Sequence, residues 1–166
     1  MTEYDEPHLI DFSTCLEKMK VDPDPKHEAD VLLLTCMDFR FFLTIAEIMK
    51  GIKYDHVILA GAALGAVQKE RKYWGKTFFD HLDLAVKLHK VRNVFVMEHR
   101  DCGAYGPKGF GLLPANPDRK KERKVHLKQV KKLAAEIPRD LNFASFLLEV
   151  PPSIQTVTFD QLIGDD

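Results

Sequence analysis

The sequence predicts an α/β protein: a single domain built on a central, mostly parallel β-sheet flanked by helices. Short apolar runs of strand length, Val31–Thr35, 56–60 and 91–97, alternate with stretches whose apolar residues recur at helical spacing. The links between them are short, as strand–helix–strand units in a parallel sheet require. The first run is continuously apolar rather than alternating, which suits a strand covered on both faces.

At 166 residues the chain is long enough for one domain with a sizeable core. It is expected to divide into an N-terminal arm, residues 1–30, and an α/β domain, residues 31–166, that carries the chemistry. In the arm, Leu9, Ile10, Phe12, Cys15, Leu16 and Met19 recur at helical spacing until Val21-Asp-Pro-Asp-Pro breaks the pattern. Such an amphipathic helical arm would pack on its own domain or on a neighbouring subunit. A helix over 41–50 stops at Gly51, a natural residue just past a helix end. Residues 61–65, Gly-Ala-Ala-Leu-Gly, read as a small-residue turn where backbone approaches a ligand closely. Thr77 with Asp80 three positions on reads as a capping-box start, and Phe78, Leu82, Ala85 and His89 share a face. Residues 103–117 are rich in Gly and Pro and form a loop. A basic helix over 119–137 carries the stripe Leu127, Val130, Leu133, Ala134, Ile137. Residues 146–150 and 156–159 read as late strands.

Composition excludes several functions. With 24 Lys and Arg against 25 Asp and Glu, the net charge of -1 gives no global argument for nucleic acid or a membrane surface. The basic helix reads as a solvated face. No apolar run approaches the ~20 residues that span a bilayer. The acidic N-terminus lacks the pattern of a signal peptide, so a cytoplasmic protein is expected. The three cysteines, Cys15, Cys36 and Cys102, are expected to stay reduced, with Cys15 as a small buried hydrophobe. His56, His81, His89 and His126 read as ordinary, partly exposed histidines. Gly103, Gly106, Gly109 and Gly111 are not a phosphate loop, since no Gly-Lys-Ser/Thr follows them.

Two strand ends carry the chemistry. The first apolar run releases Cys36-Met-Asp38-Phe-Arg40, and the third releases Glu98-His99-Arg-Asp-Cys102-Gly103. In parallel sheets ligands bind beyond the C-terminal strand ends, where strand order reverses. If the first and third strands are neighbours, Cys36, His99 and Cys102 converge. Two thiolates and one imidazole suit Zn²⁺, and three protein ligands leave a fourth position open, as catalytic sites do. Asp38 would reach the metal's outer shell, and Arg40 would hold it ionised in a charge-assisted pair.

The paired pattern Cys36-x-Asp38-x-Arg40 and His99-x-x-Cys102-Gly103 resembles the signature of the β-class carbonic anhydrases, over about residues 31–103. The resemblance implies a β-carbonic anhydrase-like fold with Cys36, His99 and Cys102 as zinc ligands. Asp38 and Arg40 would be the catalytic dyad that positions zinc-bound hydroxide for reversible hydration of carbon dioxide to bicarbonate. It also implies a homodimer or higher even oligomer, with the N-terminal arm embracing the partner. Phe39, Leu59, Gly61 and Gly103 are the candidate substrate-binding residues. Where the family carries an Arg-Asn-Ala-Gly-like segment, Leu59-Ala60-Gly61-Ala62 stands here. Two alternatives follow: the same zinc site acting on carbonyl sulfide or carbon disulfide, or a catalytically silent zinc-containing binding protein. A nucleic-acid or membrane partner is not expected.

Overall fold

The computed structural model describes residues 26–150 and 159–161. The amphipathic stretch of the predicted arm, with Cys15, and residues 156–158 of the last predicted strand lie outside them. Among the described residues no helix is long and apolar enough to cross a membrane.

Five strands form one sheet in the order β2-β1-β3-β4-β5. They are β1 (Val31–Thr35), β2 (Tyr54–Ile58), β3 (Asn93–His99), β4 (Asn142–Leu148) and β5 (Phe159–Gln161). The first four are parallel and β5 is antiparallel to β4. β1 lies between β2 and β3, with Thr35 opposite Ile58 on one side and Met97 on the other. This is the neighbour relation that the ligand spacing demands. Among the described residues four α-helices join the strands: α1 (Phe42–Ile48), α2 (Ala63–Val67), α3 (Lys72–His89) and α4 (Arg119–Glu136).

Successive strand residues point to opposite faces, so the apolar run of β1 divides between two cores. Leu32 and Leu34 join Val94, Val96 and Leu147 under α2, α3 and α4, where Phe78, Leu82, Val130 and Leu133 close the layer. Val31 and Leu33 join Met97 and Leu148 on the other face, against Phe41, Ile45 and Met49 at α1. β1 is buried along its whole length, which explains why its sequence is continuous rather than alternating.

Several boundaries differ from the sequence reading. β2 begins at Tyr54 rather than 56 and ends at Ile58, because pairing with β1 fixes its register. β3 extends through Glu98 and His99, paired there with Leu147 and Leu148. The 61–65 segment is a turn only at its start, since α2 begins at Ala63. α3 starts at Lys72, so Thr77 is interior and its hydroxyl donates to the Tyr73 carbonyl (2.8 Å) instead of capping. Helix 41–50 resolves into a 3₁₀ turn, Phe39–Phe41, followed by α1. The start of α4 is capped by Asp118, whose carboxylate accepts the Lys121 N–H at 2.9 Å.

Gly75 sits inside α3 where α2 crosses it. A Cβ there would lie 2.4 Å from the Ala66 carbonyl oxygen. Gly→Ala in a helix ordinarily stabilises by ~1 kcal/mol. Here the sign should reverse, and Gly75→Ala is expected to destabilise by about 1–3 kcal/mol as the two helices are forced apart. Urea denaturation measures it, and an unchanged or raised midpoint would show that the α2–α3 contact yields easily.

Candidate metal centre

Cys36 follows the last residue of β1 and His99 is the last residue of β3, so the parallel pairing of these strands sets the two side by side. Cys102 returns to them through the turn after β3. The ligand atoms of Cys36, His99 and Cys102 all lie within 4.8 Å of one another. The two sulfurs are 3.8 Å apart. A tetrahedral zinc with ~2.3 Å bonds to sulfur has an edge of ~3.8 Å, so this spacing fits one ion bound by both thiolates.

His99 adds a second test. Its Nδ1–H donates to the Arg100 carbonyl at 2.9 Å, which leaves the lone pair on Nε2. That Nε2 is buried and has no hydrogen-bond partner among the described residues. Phe41 stacks on the ring at 4.4 Å and fixes its plane. A buried acceptor without a partner is costly, and a metal ion removes the deficit. Without metal the two cysteines share a proton. Cys36 is pulled down to about 4, chiefly by the Cys102 thiol it accepts from and against its own burial, with His99 and the Gly61 N–H helping. The same bond and burial push Cys102 up.

Asp38 lies over this group, its Oδ2 3.8 Å from His99 Nε2. Arg40 holds it through four contacts: the backbone N–H to Oδ1 (3.0 Å), Nε to both oxygens (3.0 and 3.1 Å), and Nη2 to Oδ2 (2.6 Å). The Arg40 hydrogen bonds keep the Asp38 carboxyl below its usual range, against a smaller effect of burial. Asp38 is therefore an ionised acceptor of fixed orientation. Arg40 also binds Asp101, by Nη1 to Oδ2 (2.9 Å) and Nη2 to the carbonyl (3.1 Å).

The other four sequence candidates are placed differently. Phe39 is 87% exposed, next in sequence to Asp38, and Met37, Phe42 and Leu43 of the same segment are exposed apolar side chains too. Leu59 packs against the core under α2 and α3. Gly61 approaches a ligand directly: its N–H donates to Cys36 Sγ at 3.3 Å. It has φ +77, and an added Cβ would lie 3.1 Å from that of Ala104, so both conformation and space favour glycine. Gly103 opens the loop and lines a cavity of about 320 Å³ with Cys102, Lys108, Leu113 and Glu122.

Sequence reasoning missed a second buried cluster directly behind the site. The Glu98 carboxylate accepts from the Ala63 N–H (2.8 Å), the Tyr105 hydroxyl (3.1 Å) and His126 Nδ1 (2.8 Å). His126 is not partly exposed as expected: it is fully buried, stacked on Tyr105 at 3.9 Å between ring centroids. Glu98 thus ties the β2–α2 turn, the 103–117 loop and α4 to the residue next to His99. The available signal was a charged residue inside an otherwise apolar strand. His56 is half-buried, with Nε2 2.7 Å from Thr35 Oγ1, and its burial lowers its pKa. His89 pairs with Asp55 at 2.7 Å.

No protein-family model matches the chain. An uncharacterized protein of Rickettsia bellii is 29% identical over 84% of this chain and 91% of its own length. An uncharacterized protein of Rickettsia conorii is 34% identical, over about half (52%) of each chain. Among solved structures, the carbonic anhydrase of Streptococcus mutans superposes with a TM-score of 0.58 at 16% identity, covering 91% of this chain and 92% of that one. The carbonic anhydrase of Glaciozyma antarctica gives 0.56 at 17% identity, covering 97% and 99%. A tetrameric β-carbonic anhydrase of Sordaria macrospora gives 0.54 at 15%, covering 82% of each. The chain has the β-carbonic anhydrase fold.

Zinc added to metal-free protein is expected to saturate at one ion per chain and to release protons. Cys102, pushed up by the Cys36 sulfur and by burial, must lose its proton on binding, whereas Cys36 is pulled down. Apparent affinity should therefore rise with pH across neutrality. Competition with a chromophoric chelator measures it, and a pH-independent affinity would remove Cys102 from the ligand set.

Proposed function

We propose that this chain is a zinc-dependent lyase of the β-carbonic anhydrase type that interconverts carbon dioxide and bicarbonate. The observation that carries the reading is the ionised Asp38, gripped by Arg40 and set 3.8 Å from the unpartnered Nε2 of His99 in the Cys36–His99–Cys102 group. Cys36, His99 and Cys102 would hold the zinc. When bound, the ion supplies a Lewis acid that lowers the pKa of water, and two thiolates leave that water less acidic than the ~7 of a three-histidine site.

The chain's own residues supply orientation. Asp38 accepts a hydrogen bond from the attacking water and so aims its lone pair at the substrate carbon. Arg40 keeps Asp38 charged and takes up both of its oxygens, which would disfavour the carboxylate as a further ligand. The apolar side chains of Phe39, Met37, Phe42 and Leu43 suit a small substrate without net charge, and their exposure supports assembly as a homodimer or higher even oligomer. The tetrameric assembly of the Sordaria macrospora protein agrees with that assembly.

Carbonyl sulfide or carbon disulfide is the second reading. It is favoured by Leu59-Ala60-Gly61-Ala62, which replaces the arginine and asparagine of the family segment with apolar groups.

Stopped-flow hydration of carbon dioxide, on protein of measured zinc content, tests the reading. The rate should scale with zinc and rise on the alkaline side of neutrality. Asp38→Asn should keep the zinc and lower turnover by about 10–100-fold. Sulfide release from carbonyl sulfide with no hydration would select the second reading, and zinc-replete protein inert in both assays would leave a silent binding protein.

A further inference from the structure

The turn that joins His99 to Cys102 does not hold its shape unaided. Asp101 stands at φ +55, a left-handed conformation uncommon for residues with a Cβ, which aspartate and asparagine adopt more readily than most and which gains from support. The support comes from Glu122 in the first turn of α4, twenty-one positions along the chain. Its buried carboxylate accepts the Asp101 N–H on Oε1 at 2.6 Å and Arg100 Nη1 on Oε2 at 3.0 Å.

Glu122 is itself immobilised. Arg100 is buried, its Nε reaches both oxygens of Glu149 (2.9 and 3.0 Å), and its Nη1 also donates to the Arg119 carbonyl (3.0 Å). Arg119 closes the ring onto Glu149. The start of α4 is anchored by the Asp118 cap. Two buried charges whose partners are fixed in α4 and just past the ends of β3 and β4 have one arrangement, because a buried charge separated from its partner is strongly disfavoured.

Asp101 passes this constraint to Arg40. Its carbonyl and carboxylate take one edge of the guanidinium, Nη2 at 3.1 Å and Nη1 at 2.9 Å, while Nε and Nη2 face Asp38. A guanidinium is planar and rigid, so fixing one edge aims the other. With Asp38 alone as partner, the Arg40 side chain, 35% exposed, would be free to turn together with the carboxylate it holds.

We propose that Glu122 is a positioning residue of the site. It holds Asp101 in the left-handed turn, Asp101 clamps Arg40, and Arg40 thereby presents Asp38 to the Cys36–His99–Cys102 group in one orientation. The consequence for turnover rests on the functional reading above, whereas the relay itself does not.

The test is hydrogen exchange of the Arg40 Nε–H in ¹H–¹⁵N spectra of the zinc-loaded full chain, assigned by its loss in Arg40→Lys. In Glu122→Gln the exchange should accelerate by about tenfold or more. Adding Asp101→Asn should slow it again, since asparagine tolerates the left-handed conformation and still accepts from Arg40. A folded Glu122→Gln protein with unchanged Arg40 exchange overturns the relay, and so does a double variant without recovery. If Glu122→Gln does not fold, Asp101→Ala removes an exposed side chain and disfavours the turn. The same acceleration is then expected, and its absence overturns the proposal. In the hydration assay Glu122→Gln should lower kcat about 10–100-fold at unchanged zinc content. Wild-type protein that turns over neither carbon dioxide nor carbonyl sulfide would end the functional reading, while Arg40 exchange would still decide the relay.

Discussion

The parallel pairing of β1 with β3 is the interaction on which the rest depends. The chain lays β2 on the far side of β1 and then crosses back to place β3 against the near side. That reversal is the switch point at which an open α/β sheet leaves a crevice at its strand ends. Both runs end there, so Cys36 and His99 emerge together although 63 positions separate them in the sequence. Leu32, Leu34, Val94 and Val96 share one core while Val31, Leu33 and Met97 share the other, so packing on both faces holds β1 against β3. The burial of ordinary aliphatic side chains is therefore what sets the spacing of the metal ligands.

Around that frame, three carboxylates do different work in different surroundings. Asp38 is near the surface and depends on Arg40. Glu122 is buried against Arg100 and spends its other oxygen on a backbone N–H. Glu98 is buried with no arginine, satisfied by a backbone amide, a phenol and an imidazole. Each buried polar group needs partners from distant elements, so the pattern staples β3 to α2, to the 103–117 loop and to α4. The loop rich in Gly and Pro is ordered by turn hydrogen bonds of its own, such as Phe110 N–H to the Ala104 carbonyl (2.8 Å), and Tyr105 ties it to Glu98.

This division explains what was legible in the sequence. Val31–Thr35 was readable to the residue because a doubly covered strand writes itself as an unbroken apolar run. Cys36, His99 and Cys102 were readable because soft ligands at two strand ends have few other uses. Glu98 and His126 were not, since their bond joins residues 28 apart on different elements: the charge of Glu98 in an apolar strand was visible, but its partner on α4 was not. The start of α3 was missed because Lys72-Tyr73-Trp74-Gly75 carries no cap, and its glycine reads as a breaker. Gly75 is there to let Ala66 approach, a reason that exists only once the two helices are packed.

The segment 59–62 unites these levels. Gly61 and Ala62 both have positive φ, +77 and +43, and Ala62 has no glycine's freedom to adopt it. The strain is held by two bonds of opposite destination: Gly61 N–H to the Cys36 sulfur, and Ala63 N–H to Glu98. A backbone N–H aimed at a thiolate withdraws charge from it, and such outer contacts tune the metal that the thiolate binds. The arginine and asparagine of the family segment are absent here, yet the backbone of the same segment still reaches a ligand atom. What the segment brings to the Cys36–His99–Cys102 group is thus carried by main chain and by the glycine that permits the approach.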